Sequence, residues 1–181
     1  MRVKRFSRLV VPGRFQPLHE GHLRTIDYTL ELSHKAIIVI GSAQESFTLS
    51  NPLTAGERFE LLETALEERY GDAWPRRISI VPVLDIQMNK VWVQYLRQLL
   101  PRFDGVVSGN QLVLALFEDM GLEAIEPPLY RREYCSGTVI RRLVLEGDDK
   151  WRECVPPSVI RKLEEYGFEE RLRRLYPEGN A

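Results

Sequence analysis

Along most of the chain, short apolar runs alternate with longer stretches in which apolar residues return every third or fourth position. Arg8 to Pro12, Ala36 to Gly41, Ile78 to Val83, Asp104 to Ser108 and Leu122 to Ile125 are mostly continuous apolar segments, the pattern of strands covered by helices on both faces. Between them, Gly21 to Leu32, Thr54 to Tyr70, Val91 to Leu100 and Asn110 to Met120 carry apolar positions at helical spacing. This β-α-β-α order predicts an α/β fold built on a doubly wound open parallel sheet of about five strands. Ligands on such sheets bind beyond the carboxyl ends of the strands, so the chemistry is expected in the loops there. Pro12 has no amide hydrogen to give a central sheet, and the first strand is expected to end one residue early.

From Ser136 the pattern changes to a helix over Ser136 to Leu145, a Gly-Asp-Asp turn, and a second helix opened by Pro156-Pro157-Ser158 and running to Tyr166. No repeat or low-complexity linker separates this tail. Residues 1–181 therefore read as a single domain, with 147–181 a packed C-terminal helical extension.

The chain has 181 residues, 44% hydrophobic and 28% charged, which excludes a disordered or fibrous protein. A domain of this size buries roughly 70% of the surface its unfolded chain exposes, so it needs neither metal nor disulfide for stability. Cys135 and Cys154 form no C-x-x-C pair; no disulfide is expected, Cys135 reads as packing, and an intracellular setting is preferred. A net charge of -1 excludes the strong positive field of a nonspecific nucleic-acid binder, so any phosphate chemistry must be local. Arginines outnumber lysines 20 to 5, and a guanidinium fork suits phosphate oxygens, although base composition of the genome gives the same bias. The basic start is followed only by Leu9 to Val11 before Pro12 and Gly13, and no apolar run approaches the roughly 20 residues that span a bilayer. A cytoplasmic location without membrane partners is expected, and no role is assigned to the first seven residues.

No G-x-G-x-x-G, G-x-x-x-x-G-K-[ST] or G-x-S-x-G segment is present. Directly after the first strand stands Gly13-Arg14-Phe15-Gln16-Pro17-Leu18-His19-Glu20-Gly21-His22. Gly13 lets the backbone approach a ligand, and Pro17 keeps the chain out of helix until the turn is complete. His19 and His22, three residues apart, share one face at a helix start, where free amides and the dipole favour an anion. The competing reading is half a metal site or two incidental polar residues. The spacing is not that of H-E-x-x-H, however, and the only other histidine is His34. No protein metal site is expected.

This segment resembles the G-x-F-x-P-x-H-x-G-H signature of the nucleotidyltransferase superfamily, matched at Gly13, Phe15, Pro17, His19, Gly21 and His22. A second segment, Ser136-Gly137-Thr138-Val139-Ile140-Arg141, resembles that superfamily's S-x-T-x-x-R box. Ser136 is a good N-cap, and Thr138 and Arg141 share a face, so hydroxyl, amides and guanidinium can converge on one phosphate chain. An ordinary cap followed by a solvated arginine is the alternative. Beyond these motifs, Gly41-Ser42-Ala43-Gln44, Asn51 to Arg58, Asp85 to Val93 and Ser108-Gly109-Asn110 are similar to segments of the archaeal nicotinamide-nucleotide adenylyltransferases.

The resemblance implies a Rossmann-like nucleotidyltransferase fold and adenylyl transfer from ATP to nicotinamide mononucleotide, with NAD and pyrophosphate as products. It implies catalytic roles for His19, His22 and Arg141, and ATP contacts from Gly13, Arg14, Phe15, Gly21, Arg58, Ser136 and Thr138. It implies mononucleotide contacts from Asp85, Asn89 and Trp92, a magnesium ion carried with ATP, and a homo-oligomer, a hexamer being one such assembly. The alternatives are a core aromatic for Trp92 and, for Arg58, a lone solvated arginine; a surface arginine held by an acidic neighbour is disfavoured, because none lies three or four positions from it. The rivals are a related transferase acting on phosphopantetheine or from a cytidylyl donor, and a nucleotide sensor without turnover, whose Arg171, Arg173 and Arg174 serve a partner. The sequence leaves open the use of nicotinate mononucleotide.

Overall fold

The computed structural model describes residues 4–128, 130–131 and 133–176. Five parallel strands, β1 (Phe6–Gly13), β2 (Ser33–Ile40), β3 (Ile78–Pro82), β4 (Gly105–Val107) and β5 (Glu123–Ile125), lie in the order β3-β2-β1-β4-β5. Helices α1 (Glu20–Leu32), α2 (Ala55–Tyr70), α3 (Asn89–Leu99) and α4 (Gln111–Asp119) make the crossovers. The sheet is the doubly wound one expected, and its winding reverses between β1 and β4, where such sheets open a crevice.

The apolar runs are continuous because alternate residues enter two cores. Val10, Ile37 and Val39 pack with α3 and α4 on one face. Val11, Ile38 and Ile40 pack on the other with α1, α2 and the C-terminal helices α5 (Gly137–Glu146), α6 (Pro157–Glu165) and α7 (Phe168–Leu175).

Pro12 does not shorten β1. It pairs in register with Val39, and the strand continues to Gly13. The β1–β4 ladder pairs only Leu9 and Val10, so the missing amide falls where no β4 partner is paired. At the other end β1 reaches back to Phe6, and the Ser7 and Arg8 amides donate to the Asp104 carboxylate at 2.7 and 3.0 Å. Residues 5–7 of the unassigned prefix thus anchor the first strand, while residues 1–3 lie outside the described residues.

Thr54 and Glu57 form a capping box at the start of α2. Glu57 also receives both Arg171 Nη atoms, each at 2.7 Å, and Arg171 donates to the Pro52 carbonyl, binding α7 to the foot of α2. Arg173 and Arg174 meet Glu169 and Glu170 on their own helix. Arg171, Arg173 and Arg174 are therefore paired with carboxylates.

The cysteines correct the sequence reading. Cys135 and Cys154 are joined by a disulfide that closes 19 residues of chain and ties the loop before α5 to the 3₁₀ segment Asp149–Cys154. Neither the pairing nor that segment shows in local spacing, since the bridge depends on where α5 and its following turn carry Cys154. The cysteines therefore no longer argue for a reducing compartment.

Candidate active site

A cavity of about 810 Å³ opens at the carboxyl ends of the strands around the reversal between β1 and β4. Its walls come from the loops after β1, β2, β3 and β4 and from the start of α5. Of the residues expected in the site, only Arg58 is missing from its lining.

The loop after β1 is shaped by close packing. A Cβ on Gly13 would meet Phe15 Cζ at 2.9 Å, so only glycine lets the aromatic ring fold beneath the strand end. Phe15 is buried with φ +53°, a strained conformation for a bulky residue, and its ring lies 4.6 Å from that of His22. Gln16, buried, donates its amide to the Leu53 carbonyl at 2.8 Å and accepts the Leu53 amide at 2.9 Å. This clasp of two loops went unseen in the sequence, where a glutamine inside a motif carries no sign of its distant partner. The Gln16–Pro17 peptide bond is cis.

His19 caps α1 and His22 stands in its first turn, their rings stacked 3.7 Å apart at 28°. Both Nδ1 atoms are buried without a partner. Burial pushes the His19 pKa down to about 4. Burial, and then the charge of His19, hold His22 well below the usual imidazole range. Both rings are therefore neutral at pH 7, and an arriving anion favours their protonation.

Arg141 faces them from α5. Its Nη1 donates to the Gln16 carbonyl at 2.6 Å and its Nη2 to Thr138 Oγ1 at 3.5 Å. Burial, and then the like charge of Arg14, lower the Arg141 pKa. Two guanidiniums close enough to repel each other in one cavity make an attractive seat for a polyanion. The Ser136 hydroxyl accepts the Val139 amide at 3.4 Å, as a helix cap does. Gly137 and Gly21 leave room for neighbours: a Cβ would meet the Gln16 carbonyl at 3.0 Å in the first case and the His19 ring at 3.0 Å in the second.

Asp85, Asn89 and Trp92 line the cavity together at the start of α3. Trp92 also meets Phe117 edge-on at 6.2 Å, so it packs against the core while lining the cavity. Ser42, at the end of β2, has φ +49° and donates its amide to Asp85 Oδ1 at 3.1 Å.

Arg58 departs from the expectation of a phosphate contact. It is fully buried, and its donors go to the backbone carbonyls of Thr54, Arg14, Gly41, Ser42 and Glu45. The absence of an acidic neighbour on its own helix left a ligand as the expected partner, whereas its partners are main-chain oxygens, one at the cap of its own helix and the rest in the loops after β1 and β2.

Among the described residues, no group of three or more His, Cys, Asp or Glu side chains is placed to hold a metal ion. None of their helices is long and apolar enough to cross a membrane.

Residues 10–143 match the cytidylyltransferase-like family. The nicotinamide-nucleotide adenylyltransferase of Aeropyrum pernix is 61% identical over 169 residues, 93% of this chain and 97% of the relative. That of Ignicoccus hospitalis is 47% identical over 168 residues, again 93% and 97% of the two chains. Among solved structures, a bifunctional NMN adenylyltransferase/ADP ribose pyrophosphatase of Francisella tularensis, complexed with AMP and a Mn ion, superposes with a TM-score of 0.76 at 23% identity. The match covers 94% of this chain and 52% of that one, so the chain spans about half the length of the bifunctional protein. The nicotinic acid mononucleotide adenylyltransferase of Plasmodium falciparum, complexed with APC, gives a TM-score of 0.64 at 13% identity, covering 91% of this chain and 98% of that one. These two likenesses show the nucleotidyltransferase fold.

Proposed function

Because the chain belongs to the cytidylyltransferase-like family, and within it to the nicotinamide-nucleotide adenylyltransferases, we infer that it transfers the adenylyl group of ATP to nicotinamide mononucleotide, giving NAD and pyrophosphate. The observation that carries the reading is the polarity of the cavity. Arg14, Arg141 and two imidazoles with unpartnered Nδ1 atoms offer donors to a phosphate chain, and Trp92, Asp85 and Asn89 in the same lining offer a ring face and polar groups to a nucleotide.

The phosphate of the mononucleotide is already an anion and attacks the α-phosphorus of ATP in line. The bond from α-phosphorus to acceptor oxygen forms as the α,β-bridging bond breaks, and the electron pair leaves with pyrophosphate. No side-chain base is needed, so the protein's contribution is positioning and stabilisation of charge. His19 and His22 donate to the transferring and departing phosphates, and Arg141 grips the triphosphate. Gly13, Arg14, Phe15 and Gly21 shape the ATP side with Ser136 and Thr138, while Trp92 offers a ring face for the nicotinamide and Asp85 and Asn89 orient the acceptor.

The reaction uses a divalent metal, which we take to be magnesium. With few acidic groups gathered in the cavity, the chain fits an ion carried in by the triphosphate and held chiefly by phosphate oxygens and water. Such an ion would supply charge neutralisation on the phosphates.

The chain is further proposed to be one domain, since the core below β1 runs from Val11 to Leu172. It is proposed to act in the cytoplasm and to assemble as a homo-oligomer, a hexamer by family resemblance. Incubation of the protein with ATP, magnesium and nicotinamide mononucleotide, followed by mass detection, should yield NAD and pyrophosphate. Product formed only from CTP or only with phosphopantetheine would overturn the reading, and a parallel arm with nicotinate mononucleotide settles whether that acceptor is also used.

A further inference from the structure

Arg58 is a full positive charge with no exposed surface, held entirely by main-chain oxygens. Burial of such a group is costly unless its donors are satisfied, and an arginine has five to satisfy. Here Nε takes the Thr54 carbonyl at 3.2 Å. Nη1 takes those of Arg14 and Gly41 at 3.0 and 2.7 Å, and Nη2 those of Ser42 and Glu45 at 3.0 and 3.5 Å. No donor is left over for a phosphate.

The carbonyls belong to three segments, the loop after β1, the loop after β2 and the start of α2, and Arg58 adds to the Gln16–Leu53 clasp and the Gly41–Gly13 backbone bond that also join them. Among them is Ser42, a residue with a Cβ held at φ +49°, where an L-residue stays only if its surroundings insist. Its carbonyl is taken by Arg58 and by the Glu45 amide at 3.0 Å, and its own amide is given to Asp85 Oδ1 at 3.1 Å. The Asp85 amide in turn donates to Gln44 Oε1 at 3.0 Å. Asp85 is thus held at side chain and backbone by the turn that Arg58 fastens, and it shares a cavity wall with Asn89 and Trp92.

Resting on the adenylyltransferase reading above, we propose that Arg58 is a positioning residue for the mononucleotide: it locks Ser42 in the left-handed conformation whose amide fixes the Asp85 carboxylate on the cavity wall it shares with Asn89 and Trp92. It touches neither substrate. A lysine in its place keeps the charge but not the planar fork that reaches several carbonyls at once.

The test uses the full-length enzyme, with thermal melting to establish that each variant folds. Arg58→Met should raise the KM for nicotinamide mononucleotide about tenfold while moving that for ATP by less than about threefold, the size of a single released coupling. Adding Ser42→Gly should recover most of the lost mononucleotide affinity, because glycine adopts a positive φ without penalty. Where Arg58→Met fails to fold, Arg58→Lys carries the same comparison with the same expected direction. An ATP KM that rises as much as the mononucleotide KM, or a double variant no better than Arg58→Met, would overturn the proposal. Calorimetric titration with the mononucleotide reads the same split without turnover. A wild-type protein that forms no NAD would therefore sink the functional reading, while the binding comparison still decides the role of Arg58.

Discussion

The imidazoles of His19 and His22 stack with centroids 3.7 Å apart, and each keeps a buried Nδ1 with no partner. Burial lowers the His19 pKa from 6.5 to about 4 and carries His22 down as well. Between those pH values the unfolded chain binds protons that the folded chain refuses, so stability rises with pH across the window. The melting temperature of the free enzyme should fall as the pH is lowered from 6.5 to about 4. The fall should be shallower in His22→Phe, which removes one of the two titrating rings. An equal slope in that variant would show that carboxylates alone govern the acid limit.

Gly21 lies in α1, where a glycine-to-alanine change ordinarily stabilises a helix by about 0.5–1 kcal/mol. Here the added Cβ would press on the His19 ring at 3.0 Å. Gly21→Ala should keep or gain thermal stability while kcat at saturating substrates falls about tenfold or more, as expected when a donor in an anion site is displaced. Unchanged turnover would show that the His19 ring can shift without consequence.

Trp92 serves the core and the cavity at once, so its replacement needs two variants. Trp92→Ala should weaken mononucleotide binding by about 1–3 kcal/mol, the range for a base stacked on an aromatic ring. Trp92→Phe, which keeps a ring against Phe117, should recover part of that loss. Steady-state KM values for both substrates check this. Equal loss of ATP affinity in Trp92→Ala would identify a packing defect.

The Cys135–Cys154 bridge closes a loop of 19 residues, and loops of about this length contribute roughly 3 kcal/mol by restricting the unfolded chain. Cys154→Ala should lower unfolding free energy by that order in denaturant titration. Since Cys135 immediately precedes the Ser136 cap, ATP affinity should weaken in the same variant. A protein as stable under strong reductant as without it would contradict the bridge.

Much of this architecture was legible because its signals are local. Strands covered on both faces must be apolar throughout, so Ala36 to Ile40 stood out, and the helices between them showed their period. The histidine pair stood out because three-residue spacing at a helix start puts both rings on one face, whereas Arg141 was singled out through the resemblance to the S-x-T-x-x-R box, its own spacing fitting an ordinary cap and a solvated arginine as well. What escaped depends on chain segments brought together only by folding. The Arg58 carbonyls, the Gln16 clasp on Leu53 and the partner of Cys135 are all invisible to spacing. The positive φ of Phe15 and Ser42 escaped for a different reason, since neither residue type announces a left-handed turn.

The joint between Glu57 and Arg171 spans 114 positions, and it braces the residue immediately before Arg58. During synthesis the helix that carries Arg58 leaves the ribosome long before its brace does. The Thr54–Glu57 capping box and the Gln16 clasp on Leu53 can seat the foot of that helix early, and the brace from Arg171 is added only once α7 has emerged. A substitution at Arg171 therefore reaches the residue beside Arg58 through this joint, although the two partners lie 114 positions apart.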